Sequence, residues 1–399
     1  MSNSTNVSEG QQYVMNTYGR LPMALVKGSG AKVWDADGKE YLDFVSGIAV
    51  NALGHCHPKV VAAIQEQAGK LIHCSNLYWI EPQIELAKLL VENSFGDKVF
   101  FANSGAEANE GAIKLARKYA RKVYGAEKYE IISLKHSFHG RTLAALTATG
   151  QAKYQVGYEP LPQGFNYVPL NDLPALEEAI GPQTCAVLIE PVQGEGGVHV
   201  ADYAYLQGVR ELCRKSGALL IYDEVQCGMG RTGKLFAYEH SGVAPDIMTL
   251  AKALGGGVAI GAIVATDTVA EGFGPGDHAS TFGGNPLATA AGVATLSTIL
   301  AEDIIGNTQR MGEVLAAELQ NLGQKYSFVK EQRGLGLLRG LELSIEVKPI
   351  VDKCRELGLL INGVGSNVLR FLPPLNVTET EISAALQILA QVFAVTEEA

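Results

Sequence analysis

The sequence is short of the features that mark several large classes of protein. Its six cysteines (Cys56, Cys74, Cys185, Cys213, Cys227 and Cys354) are scattered and form no CxxC pair, which argues against a disulfide framework and fits a reducing compartment. No apolar run reaches the length of a bilayer span. Residues 1–20 are polar and lack the apolar core of a secretory signal, so a cytoplasmic location is expected. There is no tandem repeat and no low-complexity linker. Positive charge is in deficit. The formal net charge is −10, which disfavours nucleic acid as a partner. What remains is 399 residues, 47% hydrophobic and 19% charged. Such a chain can bury a large core and has room for two domains.

From about residue 98 to 265, apolar runs alternate with helical patterns. KVFFAN (98–103) leads into a helix in which Ala108, Ala112, Leu115 and Tyr119 recur on one face. EIISL (130–134) is the next strand. Asp172 is placed to N-cap a helix that Gly181 ends. AVLIE (186–190), a helix through YLQGVRELCRKSG, ALLIYDE (218–224) and DIMTLAK (246–252) follow. Continuous apolar strands separated by helices indicate an α/β fold with a mostly parallel sheet covered on both faces. The last third changes character. A long helix is expected over about 308–322, a helix–Gly–strand unit in VKPIVDKCRELGLLIN, and a strand in NVLRFLPP. Thr378 with Glu381 forms a capping box for a final helix. The expected division is a large domain over 61–290 and a smaller α+β domain from 1–60 with 291–399.

Ligands of open α/β sheets sit beyond the carboxyl ends of the strands, and here those ends carry unusual residues. The first strand ends in NSGAEAN, a small-residue turn whose Ser104, Gly105 and Ala106 N–H groups at a helix start suit a phosphate. The second runs into KHSFHGRT, which brings an aromatic, a histidine and an arginine together. Asp223 ends an apolar strand, where a carboxylate is costly unless paired. Lys252 ends the next one and is followed by Ala253, Leu254 and three glycines. A phosphate turn, a flat aromatic, a carboxylate and a lysine on one sheet face are what pyridoxal phosphate needs. Burial and a neighbouring cation favour the free amine that such a lysine must expose.

DEVQCGMGRTG, PDIMTLAKALGGG and STFGGNPLA resemble the signatures of the subgroup III, fold-type I pyridoxal-phosphate aminotransferases, and the resemblance runs from LVKGSGAKVWDADGKEYLDF (25–44) to LRFLPPL (369–375). It implies a Schiff-base role for Lys252 and a pairing of Asp223 with the pyridine nitrogen. Gln226 is implied near the ring hydroxyl, with Val225 against one ring face and Phe138 on the other. Ser104, Gly105 and Ala106 are implied at the phosphate. Thr281 is implied to reach the phosphate of a neighbouring subunit, hence a homodimer with shared sites. Arg141 matches a clamp for the donor's distal carboxylate, Arg370 a clamp for the α-carboxylate of glutamate, and Glu195 an acid that pairs with Arg370 when no carboxylate is there. Guanidinium forks suit that task.

Within that family, NTYGRLPMALVKGSG, FVSGIAVNALGHCHP and LIHCSNLYW are similar to the acetylornithine aminotransferases, which implies transfer of an amino group from N²-acetyl-L-ornithine to 2-oxoglutarate in arginine synthesis. Ile48 stands where ornithine δ-aminotransferases carry a tyrosine, which favours an acylated donor over a free α-ammonium. Ser280 matches a donor contact in a partner-assembled site, and Asn76 and Tyr18 are implied pocket neighbours. Related donors remain open: succinylornithine, succinyl-diaminopimelate, ornithine and 4-aminobutyrate.

Other readings compete. GHCHP (54–58) looks metal-binding, but its residues are too close in sequence to converge easily on one tetrahedral ion and no second ligand pair accompanies them, so no metal is expected. Arg333 is read as packing of the smaller domain. Cys227 lacks a histidine base and is not read as a nucleophile. A dinucleotide-binding oxidoreductase would require GxGxxG after the first strand, and neither NSGAEAN nor GGGVAIGA fits. A noncatalytic scaffold would have no use for Lys252, Asp223 and Gln226 together.

Overall fold

A computed structural model describes residues 1–397. Its centre is a seven-stranded sheet: β1 (Lys98–Ala102), β2 (Glu130–Leu134), β3 (Phe165–Val168), β4 (Thr184–Ile189), β5 (Leu219–Asp223), β6 (Ile247–Leu250) and β7 (Gly261–Ala265). Their spatial order is β1-β7-β6-β5-β4-β2-β3. The strands from β6 through β3 in that order pair in parallel. β7 pairs antiparallel with both of its neighbours. Every residue of β4, β5, β6 and β7 is buried. That explains their near-continuous apolar composition, since helices cover both faces of the sheet.

α1 (Gly105–Tyr124) buries Ala108, Ala112, Leu115 and Ala116, the spacing of one helical face. The helix Leu173–Ala179 is capped by Asp172, whose carboxylate accepts from the Ala175 N–H at 3.0 Å. The strand Phe165–Val168, unmarked in the sequence reading, forms the sheet edge beside β2.

Besides a two-stranded ribbon of Val192–Gln193 and His199–Val200, there are two four-stranded sheets. Leu25–Ser29, Lys32–Asp35 and Glu40–Asp43 form an antiparallel ribbon that takes Leu359–Leu360 as a parallel fourth strand. The other contains Val329–Leu335, Leu338–Leu343, Val368–Phe371 and Asn362–Val364. The long helix runs Ile304–Lys325, seven residues more than expected, four at its start and three at its end. The final helix begins at Glu379, and its capping box forms: Glu381 Oε2 accepts from the Thr378 N–H at 2.8 Å while Thr378 Oγ1 accepts from the Glu381 N–H at 3.3 Å. Arg333 pairs with Glu331 and Glu342 and donates to the Gly197 carbonyl at 2.8 Å. It thus ties a flanking strand to the turn that carries Glu195. Among the described residues, no single helix is long and apolar enough to cross a membrane.

Candidate active site

The carboxyl ends of β1, β2, β4, β5 and β6 open onto one cavity of about 430 Å³. Ser104, Gly105, Ala106, Phe138, Arg141, Glu195, Asp223, Val225, Gln226 and Lys252 line it, so ten of the residues singled out from the sequence meet there. Ser104 N-caps α1 through its hydroxyl, which accepts from the Glu107 N–H. A β-carbon at position 105 would lie 2.7 Å from Val225 Cγ1. Only glycine lets the helix start come this close to the end of β5, and the following N–H groups then face the cavity at the positive helix pole.

Asp223 is 3% exposed and fully engaged. Its Oδ2 meets Asn109 Nδ2 at 2.7 Å and His139 Nδ1 at 2.8 Å, and its Oδ1 accepts from the Val225 N–H at 3.0 Å. Asn109 is oriented in turn by Thr249, whose hydroxyl donates to Asn109 Oδ1 at 2.7 Å. The buried carboxylate is therefore compensated and aimed, as such a group must be. Lys252 follows β6 in a short turn with φ of 44°, a left-handed conformation that costs free energy for a side-chain-bearing residue. Burial pushes its amine below the usual lysine range, and Arg370 adds to that. Glu195, Asp223 and Glu190 pull the other way without cancelling it. A depressed amine is a better nucleophile at neutral pH.

Two arginines belong to the site and are anchored differently: Arg141 lines the cavity, whereas Arg370 lies behind the lining, against Glu195 and Gln226. Arg370 is 1% exposed. Its Nη1 lies 2.6 Å from Glu195 Oε1, 3.1 Å from Gln226 Oε1 and 3.1 Å from the Gly194 carbonyl. Burial is the largest single influence on Glu195 and pushes its carboxyl up. Arg370, Lys252 and Gln226 together outweigh it and hold the group below the ordinary range. Arg141 is exposed at the cavity rim. Its guanidinium carbon sits 4.1 Å from the centre of the Tyr154 ring and 5.7 Å from that of Phe138.

Four implied residues lie elsewhere in the single chain. Asn76, Ser280 and Thr281 line a separate hollow of about 780 Å³, where Asn76 Nδ2 donates to the carbonyls of Ser280 and Gly283. Ser280 still touches the main cavity indirectly, since its hydroxyl accepts at 3.2 Å from Asn103, which lines it. Tyr18 is exposed in a third hollow formed by the N-terminal segment.

Ile48 belongs to a turn in which Ser46, Gly47, Ile48 and Ala49 all have positive φ, of 49°, 65°, 63° and 62°. A β-branched residue there is an outlier. Asp43 Oδ1 holds the turn by accepting from the N–H groups of Val45 and Ser46, and Asp43 Oδ2 is paired with His55 at 2.7 Å. His55 of GHCHP thus has a structural partner, and Val50, just past the turn, lines the cavity.

The sequence reading passed over Glu190, Asn109, His139 and Tyr154. Glu190 lines the cavity, 5% exposed, and accepts from the Phe138 N–H at 2.9 Å. Burial and the nearby Asp223 push its carboxyl well above the usual range, against the Phe138 N–H and Lys252. Its signal was present: a lone acid ending the apolar run AVLIE is as conspicuous as Asp223. His139 was visible only as the histidine of KHSFHGRT, with no role to read from it, and Asn109 gave no signal, because what each does depends on meeting Asp223 across the fold. The donor set fits pyridoxal phosphate on its chemistry. It offers an amine biased toward its free form, a buried oriented carboxylate, an aromatic and an aliphatic side chain, and a helix start.

The family model "Aminotransferase class-III" matches residues 13–393. An acetylornithine aminotransferase of Caldanaerobacter subterraneus subsp. tengcongensis is 60% identical over 384 residues, 96% of this chain and 98% of that protein. An acetylornithine aminotransferase of Methanocaldococcus jannaschii is 56% identical over 395 residues, 98% of this chain and 99% of that protein. The crystal structure of an ornithine aminotransferase from Toxoplasma gondii superposes with a TM-score of 0.96 at 36% identity, covering 100% of this chain and 96% of that one. With its fold, its strand-end site and its whole length in agreement, the chain belongs to the class-III aminotransferases.

Proposed function

We propose that the protein transfers the terminal amino group of N²-acetyl-L-ornithine to 2-oxoglutarate, giving N-acetyl-L-glutamate 5-semialdehyde and L-glutamate, a step of arginine synthesis. The observation that carries this reading is the meeting of Lys252 and Asp223 in one cavity with Arg141 on its rim and Arg370 paired behind its lining residue Glu195, one arginine for each end of a two-substrate exchange. The relatives at 56–60% identity are acetylornithine aminotransferases, whereas the Toxoplasma ornithine aminotransferase stands at 36%. Ile48 offers no hydroxyl to a free α-ammonium, which favours the acylated donor over ornithine. Succinylated donors and 4-aminobutyrate are the remaining alternatives.

Pyridoxal phosphate supplies an electron sink for the carbon that loses its proton. Lys252 would hold the cofactor aldehyde through Nζ. Lys252 Nζ would also serve as the general base that takes the proton from the donor carbon bearing the amine, and then as the general acid. Asp223, fixed by Asn109, His139 and the Val225 N–H, would keep a proton on the ring nitrogen. Phe138 and Val225 would cover the two ring faces, the N–H groups at Ser104, Gly105 and Ala106 would take the phosphate, and Gln226, which bonds Glu195 and Arg370, would lie near the ring hydroxyl. Arg141 would clamp the donor carboxylate. Arg370 would take the α-carboxylate of 2-oxoglutarate, with Glu195 releasing it for that half-reaction and pairing with it for the other.

The same reading makes the enzyme a cytoplasmic homodimer with shared sites. It treats 61–290 as the cofactor-binding unit and 1–60 with 291–399 as the smaller one. Leu77, Trp79 and Phe282 are 85%, 90% and 61% exposed and flank Asn76 and Thr281 in sequence, an apolar surface that suits a second subunit. That arrangement would bring Thr281, Ser280 and Asn76 to the partner's cavity, with Tyr18 on the N-terminal segment beside it.

A single-turnover titration tests the proposal. Adding N²-acetylornithine to the loaded enzyme should bleach the visible absorption of the cofactor, and 2-oxoglutarate should restore it. Lys252→Ala should keep the melting transition and lose turnover by about 10³-fold or more. Substantial turnover in that variant would remove the assignment of Lys252.

A further inference from the structure

Arg141 lines the cavity and, unlike Arg370, has no carboxylate beside it among the described residues. Among the described residues, its guanidinium makes no hydrogen bond or ion pair with the protein; what it touches is aromatic. Tyr154 presents its ring 4.1 Å from the guanidinium carbon, and Phe138 lies at 5.7 Å. Lys153 also approaches the Tyr154 ring, at 4.8 Å. The tyrosine is itself fixed. Its ring meets Phe138 edge-on, 6.0 Å apart at 82°, and the glutamines on either side strap its turn to the preceding loop. Gln151 Nε2 donates to the Ser137 carbonyl at 3.0 Å and Gln155 Nε2 to the Thr149 carbonyl at 2.9 Å.

A guanidinium held by a ring quadrupole is oriented without spending its N–H donors. One held by a carboxylate must give that partner up before it can bind another anion. We propose that Tyr154 is a positioning residue for the substrate carboxylate, holding the Arg141 guanidinium at the cavity rim with its donors free. The proposal rests on Arg141 being the carboxylate clamp, as argued above.

The experiment is a double-mutant cycle on the holoenzyme. The probe is N-acetyl-L-norvaline, the donor without its reacting amine, and its dissociation constant is read from the change in cofactor absorbance. Tyr154→Leu should weaken binding about 3- to 30-fold, the range a cation–π contact supports from exposed to desolvated, and Tyr154→Phe should restore it to within about 2-fold. In an Arg141→Ala background, Tyr154→Leu should add nothing further.

If Arg141→Ala leaves binding unchanged, the clamp reading fails. If Arg141→Ala weakens binding while Tyr154→Leu does not, the clamp stands and the proposal for Tyr154 is wrong. The proposal is equally wrong if the Tyr154→Leu effect persists undiminished without Arg141, because the tyrosine would then be supporting the loop. Tyr154→Gln serves as the ring-free variant should the leucine variant not fold, and the melting transition of each variant is recorded alongside.

Discussion

Glu195 Oε1 lies 2.6 Å from Arg370 Nη1, and Gln226 touches both, accepting from Arg370 at 3.1 Å and donating to Glu195 at 3.2 Å. The arginine is buried and the acid is partly open to the cavity. Removing the charge of one partner in such a pair leaves the other uncompensated, at a cost of about 1–3 kcal/mol.

Glu195→Gln is therefore expected to shift the balance between the two half-reactions. With the acid neutral, Arg370 no longer has to be released before it takes a carboxylate, so KM for 2-oxoglutarate should fall. The half-reaction with N²-acetylornithine should lose efficiency, by about 10-fold. Single-turnover kinetics of each half-reaction measure this. An equal loss in both would mean that Glu195 only supports the loop.

The helix start at Ser104 offers a second test. A β-carbon at Gly105 would lie 2.7 Å from Val225 Cγ1 and 3.0 Å from Cγ2. Both Val225 and the helix start line the cavity and would contact the cofactor on the proposed reading. Gly105→Ala should cost about 1–3 kcal/mol of overpacking, seen as a weaker dissociation constant for pyridoxal phosphate measured on the apoenzyme. Unchanged cofactor affinity would show that the turn does not carry the phosphate.

Ile48 sits at φ 63° and is 40% exposed. Glycine would relieve a left-handed conformation that costs about 1–2 kcal/mol for a side-chain-bearing residue, and little buried surface would be lost. Ile48→Gly is expected to raise the melting temperature while lowering kcat/KM for the acetylated donor, the usual exchange at a strained functional position. A variant that is both more stable and equally selective would separate the turn from specificity.

Stability should also depend on pH through Glu224. Its carboxylate lies beneath the site and accepts N–H bonds from Ala237 and Tyr238. Burial pushes it up to about 8 from 4.5, against those two donors. Because the folded pKa is raised, the folded state holds a proton that the unfolded chain releases. The stabilisation is complete below the unfolded value of 4.5 and is lost as pH rises toward 8. Thermal melts across that window should show a falling midpoint. Glu224→Gln should flatten the slope, whatever it does to the absolute value. A slope unchanged in that variant would assign the dependence to other groups.

Much of the site was legible because charge in an apolar strand is conspicuous. Asp223 and Lys252 stand out in ALLIYDE and DIMTLAK, and the glycine at 105 marks a close approach. The reversal of β7 was less visible but has a simple cause. Only ten residues separate Leu250 from Gly261, fewer than the dozen or more that a parallel crossover needs, so the chain turns back antiparallel. The left-handed run at 46–49 left no trace beyond one glycine, because Asp43 and His55 impose it from outside. Tyr154 was silent for the same reason, and the histidine of KHSFHGRT carried no readable role: each matters through a contact that exists only once the chain has folded.

The most direct test of the account is a comparison of kcat/KM on the cofactor-loaded enzyme, with 2-oxoglutarate as acceptor and N²-acetylornithine, succinylornithine, ornithine, succinyl-diaminopimelate and 4-aminobutyrate as donors. A clear preference for N²-acetylornithine is the predicted result. Efficient turnover of free ornithine with the acetylated donor ignored would contradict it, and would show that Ile48 and Arg141 do not select the donor as described.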